Sequence, residues 1–377
     1  MKIFYCFNNL STFGGVERVI LNRCNYLVEN FNYDIILITT DQKNKKFSFD
    51  INNKIKHIDL DINYSNSYNK FFIFRYIECI FKVFLHKKKL KKVIKKEKPN
   101  IITGISSAER FILPLLKKDN FFIIKESHDA KNAILLKKNK DNYIRYVIYK
   151  IMEKLDAKYD KIIILTEEDR KNWKLPNVEV IPNPITFYPN KFSSCENKKI
   201  ISIGRLVEQK GYDILIDIWN IISKKYPDWI IEIYGEGPEK KFLKSKIKKL
   251  GLEKSFLLKG IEKKIQDKYL DSSIYVMSSR HEGMPMVLLE AMACGLPVIS
   301  FDCPCGPKDI IRDNEDGFLV KFGDISYFAE KIEELIIEKE KRKIFGRNAR
   351  KNIQRFSEKN VMPKWKSLFE NMIRKNE

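Results

Sequence analysis

Short apolar runs alternate with longer amphipathic stretches along most of this chain. Uninterrupted apolar runs are typical of parallel strands that are buried on both faces, and the stretches between them are long enough for crossover helices. The chain has 377 residues, more than one hydrophobic core usually organises. The pattern therefore predicts two doubly wound α/β domains. The runs are 35–39, 101–104, 121–125 and 162–166 in the first half, and 200–203, 229–234, 256–258, 274–277, 298–301 and 318–320 in the second.

Two prolines mark the expected boundary between these domains. Pro182 and Pro184 follow an apolar run and end a strand, and the polar stretch after them precedes the next apolar run. We place the hinge at 183–198. In doubly wound folds, ligands bind outside the carboxyl ends of the strands, so the residues directly after each apolar run are the candidates for a site.

The N-terminus and the cysteines indicate the compartment. Residues 1–7 run directly into Asn8 and Asn9, which makes them too short for a signal sequence and predicts a first strand. No uncharged apolar run reaches the ~20 residues that a membrane-spanning helix needs. The seven cysteines form no Cys-x-x-Cys pair, and their odd number fits free thiols in a reducing compartment. We expect a cytoplasmic protein, peripheral on the inner face of the cytoplasmic membrane.

An excess of basic residues dominates the charge of the chain. Lys plus Arg total 71 against 49 Asp plus Glu, a formal charge of +22, which attracts the phosphates of nucleic acids, anionic lipids or nucleotides. The segment 64–99 reads as one or two amphipathic basic helices. It fits an anionic bilayer surface, but its aromatics would equally fit the core beneath an ordinary surface helix. The residues concerned are Phe71, Phe72, Phe74, Phe81 and Phe84, with Lys87, Lys88, Lys89, Lys91, Lys92, Lys95 and Lys96.

The densest signal for chemistry lies in 278–297, directly after an apolar run. Pro285 is tolerated in the first turn of a helix, and Gly295 is typical of the position just past its end. A helix is therefore predicted between them, with Glu282 in the preceding loop and Glu290 on the helix. Backbone N–H groups around 283–287 would form the positive end of this helix, which suits a phosphate or sugar hydroxyls. Each carboxylate can accept from two adjacent hydroxyls.

A second loop presents two cations. Arg205 and Lys210 follow the apolar run 200–203 and precede a predicted helix. The planar fork of an arginine and the point charge of a lysine can together clamp a diphosphate and neutralise it when a sugar departs. Gly235 and Lys259 come at the ends of the next two runs and could wall a pocket for a base.

Taken together, these motifs resemble the donor-binding domain of the GT-B glycosyltransferases of family 4, also called group 1. The resemblance covers about 198–320 and extends weakly to 13–18. It implies two Rossmann-like domains facing a central cleft: an acceptor-binding domain at 1–185, a nucleotide-sugar-binding domain at 186–355, and a helix at 356–377 that crosses back to the first domain. The motifs are Gly204-Arg205-Leu206 with Lys210-Gly211, Tyr234-Gly235-Glu236-Gly237-Pro238, Glu282 with Glu290, and Asp316-Gly317-Phe318-Leu319-Val320.

The resemblance also implies roles for individual residues. Arg205 and Lys210 would hold the donor diphosphate. Glu290 would bind the ribose hydroxyls, and Glu282 the transferred sugar. His128 matches a family histidine near the sugar. The expected catalytic set is His128, Glu282, Arg205 and Lys210. The expected donor-binding set is Gly14, Gly15, Arg205, Lys210, Gly235, Lys259, Glu282, Gly283, Met284, Pro285, Met286, Val287 and Glu290.

Similarity to this family implies a retaining hexosyltransferase that uses a nucleotide sugar, with UDP as the expected nucleotide. The acceptor would be a glycan, such as a lipid-linked oligosaccharide, O-antigen, capsule or lipopolysaccharide. No cofactor or metal is expected, because nothing resembles an Asp-x-Asp motif and the four histidines, His281 near Cys303 and Cys305 included, show no ligand-like spacing. Two alternatives stay open: an isomerase of the UDP-N-acetylglucosamine 2-epimerase type, and a basic nucleic-acid-binding protein.

Overall fold

The computed structural model describes residues 1–11, 14–67, 72–117, 120–131 and 150–374. By its contacts the chain divides into two compact units, each built around a parallel sheet. One unit comprises Met1–Ile164, Asn172–Ile181 and Met362–Glu377, and the other comprises Leu165–Lys171 and Pro182–Val361. The first unit is therefore assembled from three separate stretches of sequence.

The sheet of the first unit has the strand order β3-β2-β1-β4-β5-β6-β7, with every pairing parallel. The order reverses between β1 and β4, which is the switch point where doubly wound folds bind ligands. The strands are β1 Lys2–Phe7, β2 Asp34–Thr39, β3 Lys56–Asp59, β4 Ile101–Gly104, β5 Phe122–Glu126, β6 Lys161–Ile164 and β7 Val178–Val180. The helices are α1 Gly15–Phe31, α2 Phe72–Glu97 and α3 Ser107–Leu116, with a 3-10 turn at Tyr64–Ser67; residues 150–156 are also helical.

The sheet of the second unit has the order β10-β9-β8-β11-β12-β13, again all parallel. Its switch point lies between β8 and β11, which pair with each other, so the loops that follow these two strands emerge side by side. The strands are β8 Lys199–Ile203, β9 Ile230–Tyr234, β10 Phe256–Gly260, β11 Ile274–Met277, β12 Val298–Asp302 and β13 Gly317–Lys321.

The second unit also contains helices. They are α4 Glu167–Arg170, α5 Tyr212–Ile222, α6 Lys240–Lys249, α7 Ile265–Leu270, α8 Met286–Ala293, α9 Pro307–Ile310, α10 Ile325–Ile337 and α11 Lys339–Asn352, with 3-10 turns at Glu208–Lys210 and Ile353–Phe356. A last helix, α12 Glu358–Arg374, begins in the second unit and ends in the first.

The predicted fold class is confirmed, since both sheets are parallel and flanked by helices. Every apolar run predicted as a strand is a strand, with closely similar bounds. No apolar run predicts β3, which lies at one edge of the first sheet. The helix predicted after Pro285 runs from Met286 to Ala293, and Gly295 follows it with a left-handed φ of 77°.

The basic segment 64–99 forms the 3-10 turn and the single long helix α2. One face of α2 buries Leu90 and Ile94 against the sheet. The opposite face exposes Ile80, Phe81 and Phe84, at 71%, 64% and 66%. These two phenylalanines are therefore not core residues. Phe71 and the side chains of Phe72 and Phe74 lie outside the described part of the chain. Within the described ranges, no helix is both long enough and apolar enough to cross a bilayer.

Candidate active site

The loops after β8 and β11 are tied together at the switch point of the second sheet. Gly211 has a left-handed φ of 64°, and a Cβ at this position would lie 2.0 Å from the carbonyl oxygen of Ser278. Only glycine therefore lets the two loops approach so closely. The Arg280 N–H donates to the Gln209 carbonyl at 2.7 Å, and the Gln209 side chain donates to the His281 carbonyl at 2.9 Å. The two loops consequently act as one surface.

A paired guanidinium and carboxylate reinforces this link. The two terminal nitrogens of Arg280 donate to the two oxygens of Asp213 at 2.8 and 2.7 Å, and Nη1 also donates to the Glu208 carbonyl at 2.6 Å. Burial opposes the charged form of Asp213, but Arg280 outweighs it, so the pKa of Asp213 lies below its ordinary value. Two parallel hydrogen bonds fix the orientation of both partners as well as their separation.

Lys210 and Glu282 meet between these loops. Lys210 Nζ lies 2.7 Å from Glu282 Oε1, and the Ser279 hydroxyl donates to the same oxygen at 2.6 Å. The side chains are 17% and 8% exposed. The Glu282 N–H donates to the Pro304 carbonyl at 3.2 Å, which holds the backbone as well. In the described part of the chain, Glu282 Oε2 has no partner, and that oxygen can still accept from a ligand.

Arg205 has a different environment from Lys210. Its side chain is exposed, and no hydrogen bond or ion pair reaches it from the described residues. The guanidinium is therefore free to change rotamer when an anion arrives, whereas Lys210 is already held by Glu282. Of the two cations in this short loop, Lys210 is thus held in place and Arg205 can move.

Glu290 lies on α8 and is anchored at both oxygens. The Thr186 hydroxyl donates to Oε1 at 2.8 Å, and the Tyr269 hydroxyl donates to Oε2 at 3.2 Å. Burial, followed by the nearby Glu290 charge, raises the pKa of Tyr269 well above its ordinary value, so Tyr269 stays a donor. These two hydroxyls fix the orientation of the carboxylate.

The start of α8 lies next to Glu282 in sequence. Pro285 caps the helix with an extended ψ of 96°, so the first helical residues are Met286 and Val287. A Cβ on Gly306 would lie 2.5 Å from Pro285 Cδ and 3.2 Å from the Gly283 carbonyl, which shows how tightly the loop after β12 supports this turn. The first amides of α8 have no carbonyl within the helix to bond to, and they form its positive end.

Gly235 and Lys259 lie at the carboxyl ends of the next two strands. The Gly235 N–H donates to the Gly260 carbonyl at 2.8 Å, and a Cβ on Gly235 would lie 1.9 Å from the Gly204 carbonyl. Lys259 is half exposed on β10 and lies 3.5 Å from Glu232. The structure thus brings Gly235 into contact with the loop that carries Arg205. Lys259 belongs to a separate ion pair with Glu232 on the outermost strand, β10.

The remaining predicted residues belong to the first unit. Gly14 caps α1, and its carbonyl accepts from the Arg18 N–H at 3.2 Å; Gly15 is the first residue of that helix. The neighbouring Phe13 of the predicted motif lies outside the described residues. His128 follows β5, and its Nε2 lies 3.2 Å from Glu126 Oε2. These groups follow strands of the first sheet, as the sequence analysis expected of ligand-binding positions.

Several residues of this site were not predicted. Ser279 and Arg280 lie inside 278–297, and their polar side chains directly after an apolar run are the signal that marks them. Thr186 and Tyr269 belong to no motif in the sequence, so nothing near them indicates that they are part of the site. All seven cysteines are free, as expected. Among the described residues, no group of three or more His, Cys, Asp or Glu side chains is arranged to hold a metal ion.

Comparisons with known proteins identify the family. The family profile described as "Glycosyl transferases group 1" matches residues 186–352, which carry all of the second-sheet site. An uncharacterized glycosyltransferase of Haemophilus influenzae is 30% identical over 374 residues, which cover 97% of this chain and 99% of the relative. The chain belongs to the group 1 glycosyltransferases. Its two parallel sheets form the GT-B fold of that family.

Two further relatives of this glycosyltransferase extend the comparison. The amylovoran biosynthesis glycosyltransferase AmsD of Erwinia amylovora is 34% identical over 220 residues, which cover 55% of this chain and 62% of AmsD. The structure of a mutant of S. aureus TarM with fondaparinux, alpha-GlcNAc-glycerol and UDP superimposes with a TM-score of 0.78 at 20% identity, and covers 98% of this chain and 99% of TarM. At that identity, the TarM structure supports the fold alone.

Proposed function

We propose that this protein is a retaining glycosyltransferase that moves a hexose or an N-acetylhexosamine from a UDP-sugar to a glycan acceptor. The observation that carries the proposal is the convergence of Lys210, Glu282 and the start of α8 at the carboxyl ends of β8 and β11. A cation, a hydrogen-bond acceptor and a positive helix end are the groups that a sugar diphosphate needs. UDP is the nucleotide that the resemblance to the family implies.

The roles proposed for the side chains follow from their surroundings. Lys210 and the exposed Arg205 neutralise the diphosphate as it leaves, together with the first amides of α8. Glu290, whose orientation two hydroxyls fix, accepts from the ribose hydroxyls. Glu282 uses Oε2 for a hydroxyl of the transferred sugar, since Oε1 already accepts from Lys210 and Ser279. Neither glutamate acts as a nucleophile in this scheme.

Retention of configuration then needs no covalent intermediate. The acceptor hydroxyl attacks the anomeric carbon from the face that the diphosphate leaves, through an oxocarbenium-like state. Cationic side chains and helix amides supply the charge stabilisation that a metal supplies elsewhere. We therefore propose that the protein works without a metal or another cofactor.

The proposed acceptor is a lipid-linked oligosaccharide or another intermediate of O-antigen, capsule or lipopolysaccharide. AmsD, a relative named for amylovoran biosynthesis, supports a role in building a polysaccharide. The proposed location is the cytoplasm, at the inner face of the membrane. Membership of a glycosyltransferase family favours transfer over the isomerase and nucleic-acid-binding alternatives.

An anionic membrane surface is the partner proposed for α2. Ile80, Phe81 and Phe84 form an exposed apolar stripe on the first half of the helix. The same face continues into exposed lysines, which are Lys88, Lys91, Lys92, Lys95 and Lys96. Apolar side chains can enter the acyl boundary while each lysine adds about 1 kcal/mol of attraction to anionic headgroups.

Vesicle co-sedimentation tests this partner. We expect the double variant Phe81→Ser/Phe84→Ser to partition at least about tenfold less onto vesicles that contain phosphatidylglycerol, because burying one phenylalanine is worth about 1.5–3 kcal/mol. Phe242→Ser is the matched control, since Phe242 is 55% exposed on α6 of the other unit. Equal losses for both variants, or no loss for the double variant, would contradict a specific role for α2.

Nucleotide release from a panel of sugar donors tests the reaction itself. We expect Glu290→Gln to raise the KM for the donor by about tenfold or more, since one ribose contact loses its charge. Glu333→Gln is the matched control, because Glu333 also accepts from a tyrosine hydroxyl, that of Tyr226 at 2.8 Å, but at the surface of α10. Donor turnover without any acceptor would point to the isomerase, and full activity of Glu290→Gln would remove the assigned role.

A further inference from the structure

A buried ion pair lies beneath His128 in the first unit. Arg23 on α1 places Nη2 2.5 Å from Oε2 of Glu126, the last residue of β5, and both side chains are 1% exposed. Burial opposes the charged carboxylate, but Arg23 and His128 together outweigh it, and the pKa of Glu126 lies below its ordinary value. Glu126 is therefore a carboxylate at neutral pH.

This carboxylate determines which nitrogen of His128 carries the proton. An ionised carboxylate only accepts hydrogen bonds, and Glu126 Oε2 lies 3.2 Å from His128 Nε2. Nε2 must therefore be the N–H, and in the neutral ring Nδ1 keeps its lone pair. Nδ1 is buried and has no hydrogen-bond partner among the described residues. The side chain of His128 is 7% exposed, so a buried acceptor is left without a donor.

Aromatic rings hold Arg23 in place. Its guanidinium lies 3.9 Å from the ring centroid of Trp365 on α12 and 5.5 Å from that of Tyr5 on β1. Trp365 is itself buried, and Lys366, the next residue of α12, lies over the ring of Phe31 at the end of α1. The C-terminal helix thus supports the cation that keeps Glu126 ionised. We call Trp365, Tyr5, Arg23 and Glu126 the Arg23 network.

We propose that the Arg23 network positions His128, keeping its proton on Nε2 so that Nδ1 accepts a hydrogen bond from a sugar hydroxyl. The inference rests on the proposed function for the identity of that hydroxyl. A lone pair at Nδ1 suits a hydroxyl donor, whereas an N–H there would suit a phosphate oxygen. The tautomer therefore decides whether Nδ1 binds a sugar hydroxyl or a phosphate. The members of the network are positioning residues, because they act through His128.

Long-range proton–nitrogen NMR spectra of the histidine rings test this inference. The chain has four histidines, and His128→Gln assigns the signals of His128. In the unaltered protein at pH 8 we expect a protonated Nε2 and an unprotonated Nδ1. UDP-glucose or UDP-N-acetylglucosamine should move the Nδ1 signal towards that of a hydrogen-bonded acceptor, and UDP alone should not. An equal shift with UDP would contradict the hydroxyl as partner.

Arg23→Met is the decisive variant. Without the cation, the buried Glu126 takes up a proton and becomes a hydroxyl donor towards Nε2, so the ring proton moves to Nδ1. We expect this reversed tautomer together with a loss of kcat of about ten- to a hundredfold, since the acceptor for the substrate is gone. Arg342→Met is the matched control, because Arg342 is also buried and lies over a tryptophan, Trp229 at 5.3 Å, in the other unit.

A second variant keeps the test valid if Arg23→Met does not fold. Arg23→Met/Glu126→Gln removes both charges of the buried ion pair. The amide introduced at position 126 can either donate to His128 Nε2 or accept from it, so we expect a mixture of both tautomers and an intermediate kcat. An Nε2–H tautomer with unaltered kcat in either folded variant would overturn the inference. If the unaltered protein releases nucleotide from no donor, the proposed function fails, while the NMR spectra still report on the network.

Discussion

Removing the charge of Lys210 tests two contributions of this residue, one to the stability of the fold and one to catalysis. Lys210→Met keeps most of the stem and deletes the cation that lies 2.7 Å from Glu282. At an effective dielectric constant of about 20, two unit charges at this separation attract by about 6 kcal/mol, and the desolvation of both groups offsets most of it. Because the pair is partly exposed, we expect the free energy of unfolding to fall by about 2 kcal/mol.

The expected catalytic loss from Lys210→Met is larger than the loss of stability. Deleting one group that stabilises the leaving charge typically lowers kcat by about 10²–10³-fold. Urea unfolding and nucleotide release, measured on the same preparation, give the two quantities. Lys246→Met is the matched control, since Lys246 lies 2.7 Å from Asp217 within the same unit, with side chains that are 24% and 44% exposed.

Lys246→Met should lower the free energy of unfolding by at most about 1 kcal/mol and leave kcat unaltered. Lys210 has no role in catalysis if folded Lys210→Met keeps a kcat within about threefold of the unaltered protein. An equal loss of activity in Lys246→Met would also exclude this role, because the effect would then come from general destabilisation.

Three further outcomes can be checked. Arg205→Met should leave the free energy of unfolding within about 0.5 kcal/mol, since its exposed side chain has no partner among the described residues, yet raise the KM for the donor about tenfold; an unaltered KM would exclude a contact with the donor. Burial raises the pKa of Glu109 from 4.5 to about 7, so between these pH values the native state keeps a proton that the unfolded chain has lost, and stability falls as pH rises. Glu109→Gln should therefore gain about 3 kcal/mol relative to the unaltered protein from about pH 4.5 to above pH 7, by urea unfolding at each pH. A constant difference would show that Glu109 does not titrate as described. Dialysis against EDTA should leave turnover intact, and a loss that only Mg²⁺ or Mn²⁺ restores would count against metal-free transfer.

Most strands could be predicted because a strand buried on both faces must be apolar along its whole length. The missed strand β3, Lys56–Asp59, lies at the sheet edge and pairs only with β2. Its residues are half buried or exposed, so it needs no apolar run. The face of α2 that meets solvent was equally hard to predict, because the spacing of Phe81 and Phe84 fits either side of a helix.

The candidate site could be predicted where its residues share one loop, as Glu282 and Glu290 do with their flanking glycine and proline. Partners that come from distant parts of the chain leave no such pattern. Thr186 and Glu290 are 104 residues apart, and Arg23 and Glu126 are 103 residues apart. Each pair forms because strand order and helix packing bring the two residues together. Neither the strand order nor the helix packing can be read from short windows of a single sequence.

The discontinuous first unit sets a condition for anyone who wants to produce it alone. A fragment that stops at Ile181 lacks the stretch Met362–Glu377. It would leave the guanidinium of Arg23 without the Trp365 ring and expose the apolar surface that Phe369 and Met372 cover. A fusion that joins residue 181 to residue 362 through a flexible linker restores these contacts. To produce the unit that carries His128 on its own, separate stretches of the chain must therefore be joined, and a simple truncation does not suffice.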